Sequence, residues 1–238
     1  MLNNKPKILG ITLARGGSKS VPKKNIKLIA QKPLIAYSIE EALKSKNITR
    51  YIVSTDCEEI KDVSQFYGAD VPFIRPKEFS TDKASSAAAI KHALQFVESQ
   101  DGFKYDYIVE IMCTNPLKTV DDIDGCINKL IETQADSVIA VHKLDDHHPI
   151  RIKKIINDRI VDFCLKETLE ARRQDLKPDA YIRSGSIYAF NRSEIINHCR
   201  RYGSVNSRPF ILPSERAINI DNKIDFMIAE KMIQNKIL

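Results

Sequence analysis

The feature that most limits how this chain can fold is an alternation through its first ~140 residues, short apolar runs of strand length separated by stretches with helical spacing. "ILGITLA" at 8–14 is a continuous apolar run, the pattern of a parallel strand buried on both faces. "PLIAYSIEEALKSK" at 33–46 opens on Pro33 and sets Leu34, Ile35, Ile39, Ala42 and Leu43 on one helical face. "YIVST" at 51–55 predicts a second strand, and "EEIKDVSQFYG" at 58–68 a helix closed by Gly68. "VPFI" at 71–74 reads as a short third strand. A helix over about 86–98, a strand at 105–112, a helix opened by a Thr119-x-x-Asp122 cap and a strand at 137–141 continue the series. The prediction is an α/β fold with a doubly wound, mostly parallel sheet, whose ligands collect beyond the carboxyl ends of the strands.

From residue 142 the rhythm breaks. "IRIKKIINDRIVDF" at 150–163 predicts two strands around an Asn157-Asp158 turn, followed by a long polar connection at 170–185. "SIYAF" at 186–190 returns as a strand, and 220–234 supplies a final amphipathic helix. With no Gly/Ser linker or repeat, residues 1–238 are read as one domain. The segment 142–185 is then an inserted excursion that covers the site or packs on a second subunit.

At 238 residues, 43% hydrophobic and 29% charged, the chain suits a soluble globular protein. It has neither a signal-peptide pattern nor a membrane-length apolar run, so a cytoplasmic location and no membrane partner are expected. The five cysteines are scattered without metal-ligand spacing, which argues against a disulfide framework or structural zinc. A net charge of +6 suits nucleic acid, a membrane surface or a small polyanion alike. Few aromatics, no Trp and no basic helical stripe place nucleic acid last.

The basic residues concentrate in "LARGGSKSVPKKN", Leu13–Asn25, where Arg15, Lys19, Lys23, Lys24 and Asn25 occur with no acidic residue among them. Gly16 and Gly17 allow close backbone approach or positive φ, and successive N–H groups there could cradle an anion. The order of residues fits neither the GxxxxGK[ST] phosphate loop nor GxGxxG. By itself the loop reads equally as an anion site or as a solvated basic edge.

Several ordered motifs decide between those readings. "LARGGSKSVPKKN" is similar to the signature ARGGSKGIPxKN of the CMP-sialic acid synthetases, the acylneuraminate cytidylyltransferases. "IVSTD" (52–56), "RPKEFSTDKASS" (75–86), "NPLKT" (115–119), "HHP" (147–149), "RRQDL" (172–176), "GSIYAF" (185–190) and "NIDNKIDFMIAE" (219–230) follow in that family's order. The resemblance spans nearly the whole chain. It implies a Rossmann-like nucleotidyltransferase fold and attack by the anomeric hydroxyl of a 2-keto-3-deoxy sugar acid on the α-phosphorus of CTP. Such a reaction needs positioning and charge neutralisation, with no covalent enzyme intermediate.

The resemblance also implies roles. Arg15, Lys19 and Lys24 would act on the triphosphate, with Leu13, Ala14, Gly16 and Asn25 beside it. Arg75, Ala84, Ser85 and Ser86 would contact the nucleotide, Ser85 and Ser86 doubling as helix caps. Met112, Thr114, Arg151, Arg173 and Tyr188 would line the sugar site. Asp221, with Asn219, would hold Mg²⁺, which takes one or two carboxylates plus phosphate oxygens and water; Asp221 also reads as the N-cap of the last helix. Asp56 reads as a turn residue, and His147 and His148 as structural or rim residues. A homodimer is implied as well.

Departures from the family pattern bear on the acceptor. Asn219 replaces an aspartate, Met112 a sugar-contacting glutamine, Ser184 the asparagine before Gly185, and Ser20 a glycine. The favoured acceptor is of the N-acylneuraminate or legionaminate type. Kdo, pseudaminate or a sugar 1-phosphate are alternatives, as is a nucleotide-sugar-binding protein without turnover.

Overall fold

The structure, a computed structural model, describes residues 5–18, 21–144, 146–166 and 172–235. In chain order its elements are β1 (Ile8–Leu13), the short β2 (Leu28–Ile29) and β3 (Lys32–Pro33), α1 (Leu34–Lys44), β4 (Arg50–Ser54) and α2 (Glu58–Phe66). Then follow α3 (Ser86–Asp101), β5 (Tyr107–Ile111), α4 (Val120–Thr133), β6 (Ser137–Lys143), β7 (Lys153–Ile156) and β8 (Arg159–Asp162). β9 (Tyr181–Asn191), α5 (Arg192–His198), β10 (Ser207–Ile211) and α6 (Lys223–Gln234) complete the chain. Among the described residues the main sheet has the order β10-β6-β9-β5-β1-β4. β9 runs antiparallel to both of its neighbours, while β1 is parallel to β4 and β5, and β10 to β6.

The two faces follow the period-2 rule of a strand. Ile8, Val53, Val109, Ile111, Ile187 and Ala189 pack with α1 and α4 through Ile35, Ile39, Ile123, Ile127 and Leu130. Leu9, Ile11, Ile52, Ile108, Tyr188 and Phe190 pack on the other side against Ile90, Leu94 and Val97 of α3 and Ile195 of α5. Burial on both faces accounts for the unbroken apolar sequences of β1 and β5. β1 and β5 are neighbours, and the chain leaves β1 toward β4 but leaves β5 toward β6 on the other side, so the two connections diverge there. The loop after β1 and the loop after β5 meet at this switch point, the place in such sheets where ligands bind.

The capping box predicted at Thr119 is present, its hydroxyl and the Asp122 carboxylate each accepting from the other's backbone N–H. The Asn157-Asp158 turn joins β7 to β8 with both residues at positive φ. Three predictions need correction. Residues 71–74 form no strand; isolated bridges from Ile52 to Asp70 and from Thr55 to Ile74 accompany β4 instead. β9 is longer than 186–190 because Tyr181, Ile182 and Arg183 already pair with β6, with a register shift between Ile139 and Val141. The N-cap of α6 is Asn222, not Asp221: its side chain accepts from the N–H groups of Ile224 and Asp225.

Candidate active site

The loop after β1 is held by its backbone. Ala14 N–H donates to the Ser54 carbonyl and Gly16 N–H to Asp56 Oδ1 at 2.9 Å. A Cβ on Gly16 would stand 3.0 Å from that of Cys57, so glycine is required there for space rather than for positive φ. Asn25 is buried; its Nδ2 donates to the Arg15 carbonyl at 2.9 Å and its Oδ1 lies 3.2 Å from Cys113 Sγ. The side chain predicted to face ligand therefore braces the loop as well. Cys113 is buried, and burial pushes its thiol pKa up, away from the thiolate a nucleophile requires.

Two hollows open on this loop and share Leu13, Arg15 and Ser86. The first, about 280 Å³, is bounded by Arg75, Phe79 and the turn from Thr81 to Ser86. Arg75 is only 4% exposed and donates from Nε to Ser80 Oγ at 3.0 Å, with Asp56 Oδ1 4.0 Å from Nη2. Burial lowers its pKa, Asp56 opposes that effect and Arg15 adds to it. Ser85 caps α3 by accepting from Ala88 N–H, and Ala84 N–H turns back to Thr81.

The second hollow, about 330 Å³, has Arg15, Ser18, Lys24 and Asn25 on one side and Glu110, Met112, Cys113 and Thr114 on the other. Arg15 pairs with Asp82 at 2.7 Å, both side chains about half exposed. Such a pair is worth about 0–1 kcal/mol, so an incoming phosphate can displace Asp82 at little cost. Lys24 reaches across to the Ile220 carbonyl at 2.7 Å and stands 3.8 Å from Asp221 Oδ1. Lys23 turns away to Glu59. Lys19 lies outside the described residues. Thr114 Oγ1 is buried with no hydrogen-bond partner among the described residues.

Beside this hollow, Asn219, Asp221, Tyr188, Arg183 and Gly185 line a third, of about 350 Å³. Gly185 has φ +62°, and a Cβ there would come within 3.1 Å of the Asn219 side chain. Asn219 Nδ2 donates to Asp221 Oδ2 at 2.6 Å, while its Oδ1 is buried without a partner among the described residues. One carboxylate and one orphaned amide oxygen form an all-oxygen set suited to a hard divalent cation completed by phosphate and water.

Arg151 and Arg173 are not brought to these hollows. Arg173 pairs with Asp146 at 2.7 Å and borders a separate hollow with Lys143, His148 and Asp179. Arg151 ends a short turn that begins at Pro149. His148 is buried, bonded to the Pro178 carbonyl and to Ile150 N–H, a structural part.

Sequence reasoning read Asp56 only as a turn residue and passed over Lys118 and Glu110. Asp56 ties Gly16 to Arg75's surroundings, which a turn reading did not anticipate. Lys118 is fully buried under the loop after β5, donating to Ser38 Oγ and Met112 O, each at 2.7 Å, and to Asn115 O. Glu110 is 2% exposed and ion-paired with Arg201. A charge inside the apolar run "YIVEIM" was the available signal for it.

A basic, glycine-tight loop at the switch point of an α/β sheet, facing two joined hollows, defines a nucleotidyltransferase. The chain belongs to the cytidylyltransferase family, which it matches over residues 9–235. It is 35% identical over 225 residues to a pseudaminic acid cytidylyltransferase of Campylobacter jejuni, covering 94% of this chain and 95% of that protein. It is 31% identical over 231 residues to an N-acylneuraminate cytidylyltransferase of Escherichia coli, covering 97% of this chain and 53% of that one. The solved CMP:2-keto-3-deoxy-manno-octonic acid synthetase complexed with CTP shares the fold, with a TM-score of 0.72 at 18% identity over 97% of this chain and 99% of that one.

Proposed function

We propose that this protein transfers CMP from CTP to the anomeric hydroxyl of a nine-carbon 2-keto-3-deoxy sugar acid and releases pyrophosphate. The observation that carries the reading is the continuity of the two hollows through Leu13, Arg15 and Ser86. One end, with Arg75, suits a base and ribose; the other, with Arg15 and Lys24, suits phosphates and an acceptor. The acceptor oxygen bonds to the α-phosphorus as the bond to pyrophosphate breaks, and the hydroxyl proton passes to solvent or a neighbouring base. Arg15 contributes a fork and Lys24 a point charge to the oxygens that gain charge, and Lys19 is assigned with them. Mg²⁺, when bound, neutralises the phosphates and polarises the α-phosphorus. Asp221 and Asn219 would hold it.

The relatives support a nine-carbon acceptor. The similarity to a pseudaminic acid cytidylyltransferase brings pseudaminate level with N-acylneuraminate and legionaminate as the acid to test. We assign the protein to the cytoplasm and to a homodimer whose 142–185 segment, with Arg151 and Arg173, completes the neighbour's sugar site. Pyrophosphate release with CTP and Mg²⁺ is the test, run in parallel on pseudaminate, N-acetylneuraminate, legionaminate and Kdo. Release with one nine-carbon acid is expected. CTP binding without release on any acid would overturn the proposal and favour a non-catalytic binder.

A further inference from the structure

Glu110 is the anomaly of the sheet. It lies in β5 between Val109 and Ile111, and its side chain shares a face with Ile108, whose neighbours Leu9, Ile11 and Leu94 are apolar. The register of β5 with β9 sets it directly opposite Tyr188. Arg201, from the connection after α5, lies over the Tyr188 ring at 4.7 Å from its centroid, with Tyr202 at 5.8 Å, and donates from Nη1 to Glu110 Oε2. Arg183 stands over the other ring of the pair, 4.3 Å from the Tyr202 centroid.

Stability does not account for this arrangement. Desolvating two charges offsets most of their attraction, and a packed apolar pair is commonly as stable or more so. Among the described residues only one oxygen of Glu110 is engaged. Oε1 has no hydrogen-bond donor among the described residues, and the residue borders the hollow that holds Arg15, Lys24 and Thr114. A carboxylate there repels phosphate, so it calls for a neutral donor, a hydroxyl or an amide N–H. Its position opposite Tyr188 puts it toward the Asn219–Asp221 side and away from Arg75.

We infer that Glu110 is an acceptor-reading residue, its free oxygen accepting from a hydroxyl or N-acyl N–H of the sugar acid, and that Arg201 is the positioning residue that fixes it. This rests on the proposed function. Arg201 orients the carboxylate through one charge-assisted bond, and the aromatic faces hold the guanidinium in plane. The remaining N–H groups of Arg201 are left to a second polar group of the same acceptor.

Two variants test it, with KM and kcat measured separately for acceptor and CTP and CTP binding followed by calorimetry. Glu110→Gln keeps the shape and removes the charge. The double variant Glu110→Leu with Arg201→Met replaces the ion pair by an apolar pair, which keeps the fold while deleting recognition. Both should raise the acceptor KM about 10- to 100-fold and leave CTP affinity within about twofold. A double variant with the parent's acceptor KM would make the pair purely structural and overturn the inference. A raised KM for CTP with the acceptor unaffected would move Glu110 to the ribose and overturn it equally. Should the double variant fail to bind CTP, Glu110→Gln decides alone by the same criteria. If the unaltered protein turns over none of the acids, the proposed function fails, and this inference with it.

Discussion

The loop that leaves β1 and the hairpin β7–β8 are both excursions from the sheet, yet they are built in opposite ways. The loop is fastened from beneath: Asp56 holds Gly16, Asn25 holds the Arg15 carbonyl, and Lys24 spans to Ile220. The hairpin pairs with itself, and its cross-strand pair Ile155 and Ile160 is 77% and 75% exposed. Phe163 and Ile152 are exposed nearby. A two-stranded hairpin is at best marginally stable alone in water. The described part of the loop is thus fastened within one chain, whereas the hairpin leaves an apolar face exposed, the face that the proposed homodimer would cover. Arg151 lies just before this hairpin, and Arg173 borders a separate hollow with Lys143 and His148.

The largest effect that would break the comparison is on the loop. Arg15→Ala should lower kcat/KM by about 10²- to 10³-fold, the range for losing one preorganised contact to transition-state charge. Its half-exposed pair with Asp82 contributes little to stability, so the melting temperature should stay within a few degrees. Near-normal turnover would detach the loop from the triphosphate. Next in size, Asp221→Asn should raise the Mg²⁺ concentration for half-maximal rate by about tenfold or more, by removing the charged member of the oxygen pair. A magnesium titration at saturating CTP reads this directly, and an unchanged midpoint would place the cation elsewhere.

These regions also differ in how far their sequences disclosed them. The continuous apolar runs of β1, β4 and β5 and the cap at Thr119 are local signals, and the structure contains all four. The basic loop was legible because its residues are consecutive. What was not legible is set by pairing at a distance. Nothing local to Asp56 tells that it receives Gly16, forty residues earlier, and nothing local to Arg201 tells that it crosses two rings to Glu110. The early start of β9 depends likewise on β6, since Tyr181–Arg183 gain their strand only from that partner. Asp221 lost the N-cap to Asn222 because Asp225 sits three residues after Asn222 and closes the reciprocal box.

A smaller effect sharpens the comparison from the hairpin's side. Replacing Ile155 and Ile160 by Glu puts like charges on a directly opposed pair. Light scattering should then show a monomer, with the acceptor KM raised about tenfold and CTP binding kept, since the loop needs no partner. A dimer of unchanged mass with unchanged KM would leave the hairpin without its assigned role.

The smallest effect concerns Lys118, which ties the loop after β5 to Ser38 of α1. Burial lowers its pKa from 10.5 to about 7, opposed by Cys113, Glu41 and Asp122. Between those values the unfolded chain carries a proton that the folded chain has shed. Stability from this residue therefore rises with pH across that window, by at most about 1.4 kcal/mol per pH unit. Below the window both states are protonated and the fold carries the full cost of a buried ammonium. Denaturant unfolding of the parent and of Lys118→Met at pH 6.5, 7.5 and 8.5 should show the parent gaining on the variant with each step. A constant difference would mean that the ammonium persists. It has a structural reason to resist, because a neutral amine donates only two hydrogens to three acceptors: Ser38 Oγ, Met112 O and Asn115 O. Losing one of these bonds would loosen the turn that presents Met112 and Thr114, so the same titration should raise the acceptor KM above pH 7 in the parent while leaving CTP affinity level.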